Sequence, residues 1–206
     1  MFINIKNMVG SNRPIVITDD KVNSIYGHFF DGIDVIVLPQ GELNKNLDTI
    51  KYVYQRLIEL EADRTCSLVG VGGGLVLDMT GFAASTFMRG LSFGFVPTTL
   101  VAMADAAYGG KNGVNFNGFK NIVGVFKEAE FVYSQPEFLK TLDEREFKAG
   151  IVEIIKTALV MDADLFSFIE KEKDRIVNLD MEFIEHLIIK TLKIKMDLVK
   201  LDMLDN

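Results

Sequence analysis

Several scarcities bound what this 206-residue chain can be. It has one cysteine, Cys66, so no intramolecular disulfide can form. The apolar run Cys66-Ser67-Leu68-Val69 reads as the setting of a buried core thiol. There are only two histidines, His28 in a Tyr-Gly-His-Phe-Phe turn and His186 beside Glu185. Neither stands at metal-ligand spacing from another histidine, and no Cys/His set surrounds Cys66, so structural or solvent roles are expected of both. Basic residues are outnumbered, 22 against 29 acidic ones, for a net charge of −7. That balance lacks the basic footprint of general nucleic-acid binding. It leaves room for an anionic small molecule, because a local lysine cluster can oppose the global sign. No apolar run approaches membrane-spanning length, and the N-terminus, with Asn4, Lys6 and Asn7, lacks a signal-peptide core. Neither a membrane nor a nucleic-acid partner is expected, and the cytoplasm is the expected compartment. No internal repeat or low-complexity tract is present, and no proline follows Pro136.

The residues that are present are 49% hydrophobic and 25% charged, the balance of a globular protein with a sizeable core. The first half alternates strand and helix signals. Ile15 to Thr18, Asp34 to Leu38, Cys66 to Val71 and Phe93 to Val96 are short apolar strands. Leu47, Ile50, Val53, Tyr54, Leu57 and Ile58 recur at helical spacing, and a second helix is expected from Val76 to Thr86. This rhythm predicts an α/β fold with a Rossmann-like parallel sheet and crossover helices. From Ala104 to Val125 no regular period appears, and Gly109, Gly110, Gly113, Gly118 and Gly124 predict a long functional loop. Phe131 to Tyr133 is a candidate last strand. Thr141-Leu142-Asp143-Glu144 has capping-box spacing, which predicts a helix start. A further amphipathic helix is expected over Met181 to Leu201, running almost to Asn206 with no closing strand. The domain reading is therefore an α/β nucleotide-binding domain at 1–141 and an incomplete all-helical substrate and metal domain at 142–206.

Four clusters carry chemistry. Gly72-Gly73-Gly74 lies between a strand and a helix, where backbone N–H groups approach a pyrophosphate; the spacing is not GxGxxG, and a tight turn with positive φ is an equal alternative. Asp19 and Pro97-Thr98-Thr99 end strands on the presumed ligand edge, though each could instead cap the next helix. Asp78, a turn into the helix, reads from position alone as a solvated acid favoured by the helix dipole. The segment from Asp105 to Asn115, with Lys111, and the nearby Lys120-Asn121, put two lysines among glycines, which suits a phosphate-bearing substrate. Arg89 could add a contact in its own subunit or a neighbour's. Glu153 and Lys156, three apart, share a helix face. A surface ion pair is the plainer reading, yet Ile151, Val152, Ile154 and Ile155 predict a helix buried on nearly all sides, where an acid and a lysine need a purpose.

Read together, Gly72 to Asp78, Gly81-Phe82-Ala83-Ala84, Met88-Arg89-Gly90, Val96 to Leu100, Asp105, Gly109-Gly110-Lys111, Gly113-Val114-Asn115, Lys120-Asn121 and Val152 to Lys156 resemble the 3-dehydroquinate synthase family. The match is ordered, nearly gap-free and runs from about Ile15 to the last helix. The resemblance implies an NAD-dependent, zinc- or cobalt-dependent cyclase, working as a homodimer. It would convert the sugar phosphate DAHP to 3-dehydroquinate with elimination of phosphate, in aromatic amino acid biosynthesis by the shikimate pathway. It implies NAD contacts at Asp19, Glu42, Lys45, Gly73, Gly74, Leu75, Asp78, Thr98, Thr99, Lys111, Lys120, Phe138 and Thr141. It implies catalytic or substrate roles for Asp105, Lys111, Asn121, Lys156 and Arg89, the last reaching a neighbouring subunit, and a zinc ligand in Glu153.

Departures keep other readings open. Leu77 stands for a family glycine, Gln40 for a common Asp, Ala106-Ala107-Tyr108 for a Ser-Ser-Val type run and Asn112 for a common Thr. The family's two histidine ligands, in a Gly-His-Thr-Phe-Gly-His type segment and beyond, have no counterpart, and Glu153 alone leaves most tetrahedral positions unfilled. The alternatives are a cyclase of the 2-deoxy-scyllo-inosose synthase type, a glycerol-dehydrogenase-like metal enzyme, or a non-catalytic nucleotide-binding fragment. Weak or no turnover is expected of these 206 residues.

Overall fold

The computed structural model describes residues 4–201, with side chains described to residue 198. The expected extension of the last helix towards Asn206, and the outer ends of both expected domains, lie outside the described residues.

Four parallel strands, β1 (Arg13–Asp19), β2 (Asp34–Leu38), β3 (Cys66–Gly72) and β4 (Ser92–Pro97), form one sheet in the order β2-β1-β3-β4. They sit where the apolar runs predict them. Every residue of β3 is buried, because helices cover both faces and a central parallel strand has no solvated side. Alternate side chains serve two cores. Ile15, Ile17 and Leu68 pack with the helices α3 (Leu47–Glu59) and α4 (Gly74–Thr86). Val16, Val69 and Val71 pack on the other face with Phe147, Ile154 and Ile184. That second core joins the sheet to the helical part without a gap.

After α1 (Ile5–Met8), strand β1 leads through α2 (Asp20–Tyr26) to β2 on one side. Strand β3 leads through α4 to β4 on the other. The connections therefore diverge between β1 and β3, and a crevice opens outside the carboxyl ends of those two strands. The register sets Thr18 beside Val71 and Gly72 beside Pro97, so Asp19, Gly73 and Thr98 emerge on one edge.

The glycine-rich middle is not a loop. A π-helical turn, Ala102–Ala106, leads to an antiparallel hairpin of β5 (Lys111–Phe116) and β6 (Phe119–Phe126). Its turn is Asn117-Gly118, both at positive φ (48° and 84°), the pair that closes tight hairpins. That dipeptide was the available signal. It was obscured because Gly113 faces Gly124 and most of β6 is exposed, so no apolar alternation shows. Gly81 of α4 lets this hairpin close on the sheet domain: a Cβ there would lie 1.9 Å from Asn112 Oδ1. Phe131 to Tyr133 returns as a single bridge to Phe95, with Phe131 accepting from and Tyr133 donating to that residue's backbone.

The helical part comprises α5 (Glu144–Met161), α6 (Ala163–Lys171), α7 (Lys173–Val177) and α8 (Met181–Leu201). The capping box does not form. Asp143 is the N-cap of α5, while Thr141 closes a preceding 3-10 turn, its hydroxyl donating to the Phe138 carbonyl and bonded to the Tyr26 hydroxyl at 2.6 Å. Nor is α5 buried all round. Phe147, Gly150, Ile154 and Ala158 form one buried stripe, as expected of an amphipathic helix, whereas Val152, Leu159 (64% exposed) and Val160 (72%) face outward.

Candidate functional site

The crevice at the diverging strands is a cleft of about 250 Å³, lined by Asp19, Gly73, Leu75, Thr98, Thr99 and Thr141 among others. Six of the residues expected to hold a dinucleotide thus share one cavity. Gly73 is the N-cap of α4 and has ordinary negative φ (−80°), which removes the positive-φ alternative. Glycine is needed there for closeness: a Cβ would come within 3.0 Å of Thr99 Cγ2. Because the N-cap carries no side chain, none of its own can satisfy the first-turn N–H groups of the 13-residue helix, whose N-terminal partial charge favours an anion. Gly74 packs with room for about one methyl, 3.4 Å from Ala106.

Asp19 serves both of its readings. One carboxylate oxygen accepts from Val22 N–H at 2.9 Å and caps α2, while the residue lines the cleft. Thr98 N–H donates to the Gly72 carbonyl, and Thr99 Oγ1 accepts from Ala102 N–H at 3.2 Å, so the hydroxyl also caps the next turn. Phe138 differs from its companions. Its ring is in the core, edge-on to Tyr26 at 4.9 Å, and does not line the cleft.

A second cleft, about 290 Å³, lies between α4 and the hairpin and is lined by Asp78, Lys111, Asn112 and Asn121. Lys45 bridges its wall. Only 5% exposed, its ammonium pairs with the Asp78 carboxylate and donates to Asn121 Oδ1 at 2.5 Å. Asp78 is therefore not the solvated acid that its position suggests. Burial pushes its carboxyl above the ordinary range, outweighing the opposing pull of Lys45. Glu42 lies beside this group, its carboxylate accepting from the Asn115 amide at 2.8 Å. Lys120, next to Asn121 on β6, is exposed.

A third group joins the π-helical turn to the helical part. The Asp105 carboxylate pairs with Lys195 of α8, whose ammonium also donates to the Asp105 carbonyl at 2.6 Å. Sequence reasoning missed Lys195, since a lysine on an amphipathic helix gives no local signal; only the pairing across 90 residues marks it. On α5, Lys156 pairs with Glu153, and this hydrogen bond raises the lysine's pKa above its usual value. Lys156 is 63% exposed, so the pair itself adds little stability. Asp105 lies within electrostatic reach of both Lys156 and Asp78, which links the second and third groups.

Two expectations are not brought together here. Arg89 is exposed beyond the far end of α4, a 13-residue helix of about 20 Å, so it does not reach the cleft of its own chain. Among the described residues no group of three His, Cys, Asp or Glu side chains is placed to hold a metal ion. His28 packs against Phe29 in a tilted arrangement and His186 lies edge-on to Phe168, in keeping with structural roles. Cys66 is buried and free.

This arrangement can be set beside known proteins. The model of the 3-dehydroquinate synthase N-terminal region matches residues 35–149, and that of the C-terminal region matches residues 150–206. The chain is 40% identical over 200 residues to 3-dehydroquinate synthase of Acetivibrio thermocellus and 39% identical over 204 to that of Campylobacter fetus. Those alignments cover 93% and 96% of this chain but 56% and 58% of the relatives, so the chain spans little more than half their length. Among solved structures, 2-epi-5-epi-valiolone synthase from Streptomyces hygroscopicus, with NAD+ and Zn2+ bound, superposes with a TM-score of 0.86 at 28% identity, covering 94% of this chain and 57% of its own. A 2-deoxy-scyllo-inosose synthase complexed with carbaglucose-6-phosphate, NAD+ and Co2+ gives 0.81 at 29% identity, covering 94% and 55%. The sheet and the helical part are thus shared with these cyclases, and the chain belongs to the 3-dehydroquinate synthase family.

Proposed function

We propose that these residues form the nucleotide cradle and part of the substrate site of a 3-dehydroquinate synthase, which eliminates phosphate from DAHP with NAD as a recycled cofactor. The observation that carries the reading is the adjoining of two differently built sites. A glycine-edged cleft at a helix N-terminus lies next to a group of lysines and carboxylates contributed by the hairpin, α5 and α8. Curated relatives at 36–40% identity favour this substrate over those of the related cyclases.

The cradle fits a dinucleotide. Gly73 and Gly74 would present backbone N–H groups to the pyrophosphate, Asp19 would accept from a ribose hydroxyl, and Thr98 and Thr99 would line the approach. NAD, when bound, supplies reversible oxidation of a ring hydroxyl, which acidifies the neighbouring C–H. The chain's own residues then position the substrate. Lys111, Lys156 and Lys195 place positive charge where a phosphate and a carboxylate would lie, against the protein's net negative charge. Asp105 and Glu153 hold two of those ammonium groups in place. Lys45 orients the Asp78 carboxyl and the Asn121 amide toward the second cleft.

The residues described do not supply a metal site. Glu153 is one carboxylate engaged with Lys156, so no step is assigned to zinc or cobalt. The expected result for these 206 residues is NAD binding by calorimetry with weak or no phosphate release from DAHP in the presence of NAD and Zn2+. No dinucleotide binding at millimolar NAD would overturn the reading. Turnover of a hexose phosphate but not DAHP would transfer it to an inosose-forming cyclase.

The proposed setting is a homodimer in the cytoplasm, with the 1–141 and 142–206 division as its domain plan. Arg89 would serve the neighbouring subunit, since it is remote from its own cleft. No nucleic-acid or membrane partner is proposed; no described helix is long and apolar enough to cross a membrane.

A further inference from the structure

We propose that Asn115 is a positioning residue that locks three residues of the site, Glu42, Lys45 and Asn121, into one arrangement. The inference rests on the proposed dinucleotide site and assigns its geometry to a residue that touches no substrate.

Asn115 lies near the end of β5, at the bulge between Val114 and Phe116, and directs its backbone N–H and both ends of its side-chain amide to those three residues. Its backbone N–H donates to the Lys45 carbonyl at 2.8 Å. Its side-chain amide donates to Glu42 Oε1 at 2.8 Å. Its side-chain oxygen accepts from Asn121 N–H at 2.9 Å. Asn121 is at positive φ (52°), which costs a non-glycine residue about 1 kcal/mol or more and persists only where neighbours hold it. Asn115 is one such neighbour.

The consequence reaches Lys45. Its backbone is tied to Asn115, while its ammonium bridges Asp78 and Asn121. The segment Gly41 to Asn46 and the hairpin meet directly, and the Asn115 side chain bonds to Glu42 of the one and Asn121 of the other. Only an amide of this length both donates to a carboxylate and accepts from a backbone N–H. Aspartate loses the donor and sets a second negative charge against Glu42, and alanine loses both bonds.

The test measures NAD affinity by calorimetry, the thermal midpoint, and the nuclear magnetic resonance signal of the Lys45 ammonium in 15N-lysine-labelled protein. The wild type is expected to show a protected Lys45 ammonium signal. Asn115→Ala is expected to weaken NAD binding about tenfold, equivalent to about 1.4 kcal/mol, and to lose that signal. Glu42→Gln in the Asn115→Ala background is expected to add less than it does alone. Asn115→Ser repeats the measurements should the alanine variant fail to fold. A variant that melts earlier but keeps both affinity and the ammonium signal overturns the proposal, since that is what a merely structural residue would do. Should the wild type bind no dinucleotide, the proposed function fails by itself. The ammonium signal then still decides: its loss in the variants supports the role of Asn115, and its persistence refutes it.

Discussion

The cradle at the sheet edge and the charged group on the helices are built on opposite terms. In the cradle, backbone does most of the work. Gly73 and Thr98 directly follow buried strands, with Thr99 one residue on, their positions follow from sheet register, and an added methyl at Gly73 would press on Thr99. On α5 and α8 side chains do the work. Lys156 and Glu153 hold each other and Lys195 is held by Asp105, all of them long and partly exposed, and the outer face of α5 presents Leu159 and Val160. Register places groups to fractions of an ångström before any ligand arrives, whereas exposed ion pairs place them only loosely. The cradle is thus the part expected to bind its ligand unaided, and the helical group the part that needs more around it.

The largest test of that contrast is Gly81→Ala. The added methyl would collide with Asn112, whose amide is held by the carbonyls of Gly110 and Lys127. A loss of about 3 kcal/mol is expected in urea unfolding, from overpacking plus disrupted hydrogen bonds. A loss below about 1 kcal/mol would show the hairpin yields, and the cradle's rigidity would be overstated. Asp78→Asn comes next. It leaves the buried Lys45 ammonium without its carboxylate partner and is expected to loosen Lys45 and weaken NAD binding.

The pH dependence of that pair sharpens the point. The folded-state pKa of Asp78 is raised, mainly by burial, so its protonated form is the one favoured by folding. Its contribution is fully present below the ordinary carboxylate pKa of about 3.9 and is lost as pH rises through the higher folded value. Wild type should therefore gain stability relative to Asp78→Asn as pH is lowered through the acid range. An opposite slope would mean that Lys45 outweighs burial.

Thr99→Val is expected to remove about 1 kcal/mol, the worth of a cap, since Ala102 N–H loses its acceptor. Lys156→Met should change stability by less than about 0.5 kcal/mol, because the ion pair is exposed, while weakening capture of a phosphate-bearing substrate. If Lys156→Met melted as severely as Gly81→Ala, the proposed division between a rigid cradle and a loose helical group would collapse. Smallest of all is the expected metal effect. Glu153→Gln should leave Zn2+ uptake by this chain unchanged, and tight stoichiometric zinc lost with that substitution would assign a metal site to residues that here pair with each other.

Much was legible before any coordinates. The strands over Ile15 to Thr18, Asp34 to Leu38, Cys66 to Val71 and Phe93 to Val96 declared themselves because a parallel sheet buried on both faces demands continuous apolar runs. Gly72-Gly73-Gly74 declared itself because a strand must turn directly into a helix there. The hairpin did not, since paired glycines and exposed aromatics erase its alternation, and Asn117-Gly118 was the only local mark. The burial of Asp78, the engagement of Lys195 with Asp105 and the threefold bonding of Asn115 join residues 33, 90 and up to 73 positions apart. No local pattern encodes such partners.

By itself, then, the sequence determined the four parallel strands, the helices over Leu47 to Ile58 and Val76 to Thr86, and the glycine-edged turn, because each rests on spacing and backbone conformation within a few residues. The tertiary structure decided which of the chemically capable side chains meet. It buried Lys45 with Asp78, kept Arg89 away from its own cleft, and left Glu153 paired with Lys156 and without the partners of a metal site among the described residues. Those outcomes depend on how distant segments pack, and burial and pairing are properties of the packed chain.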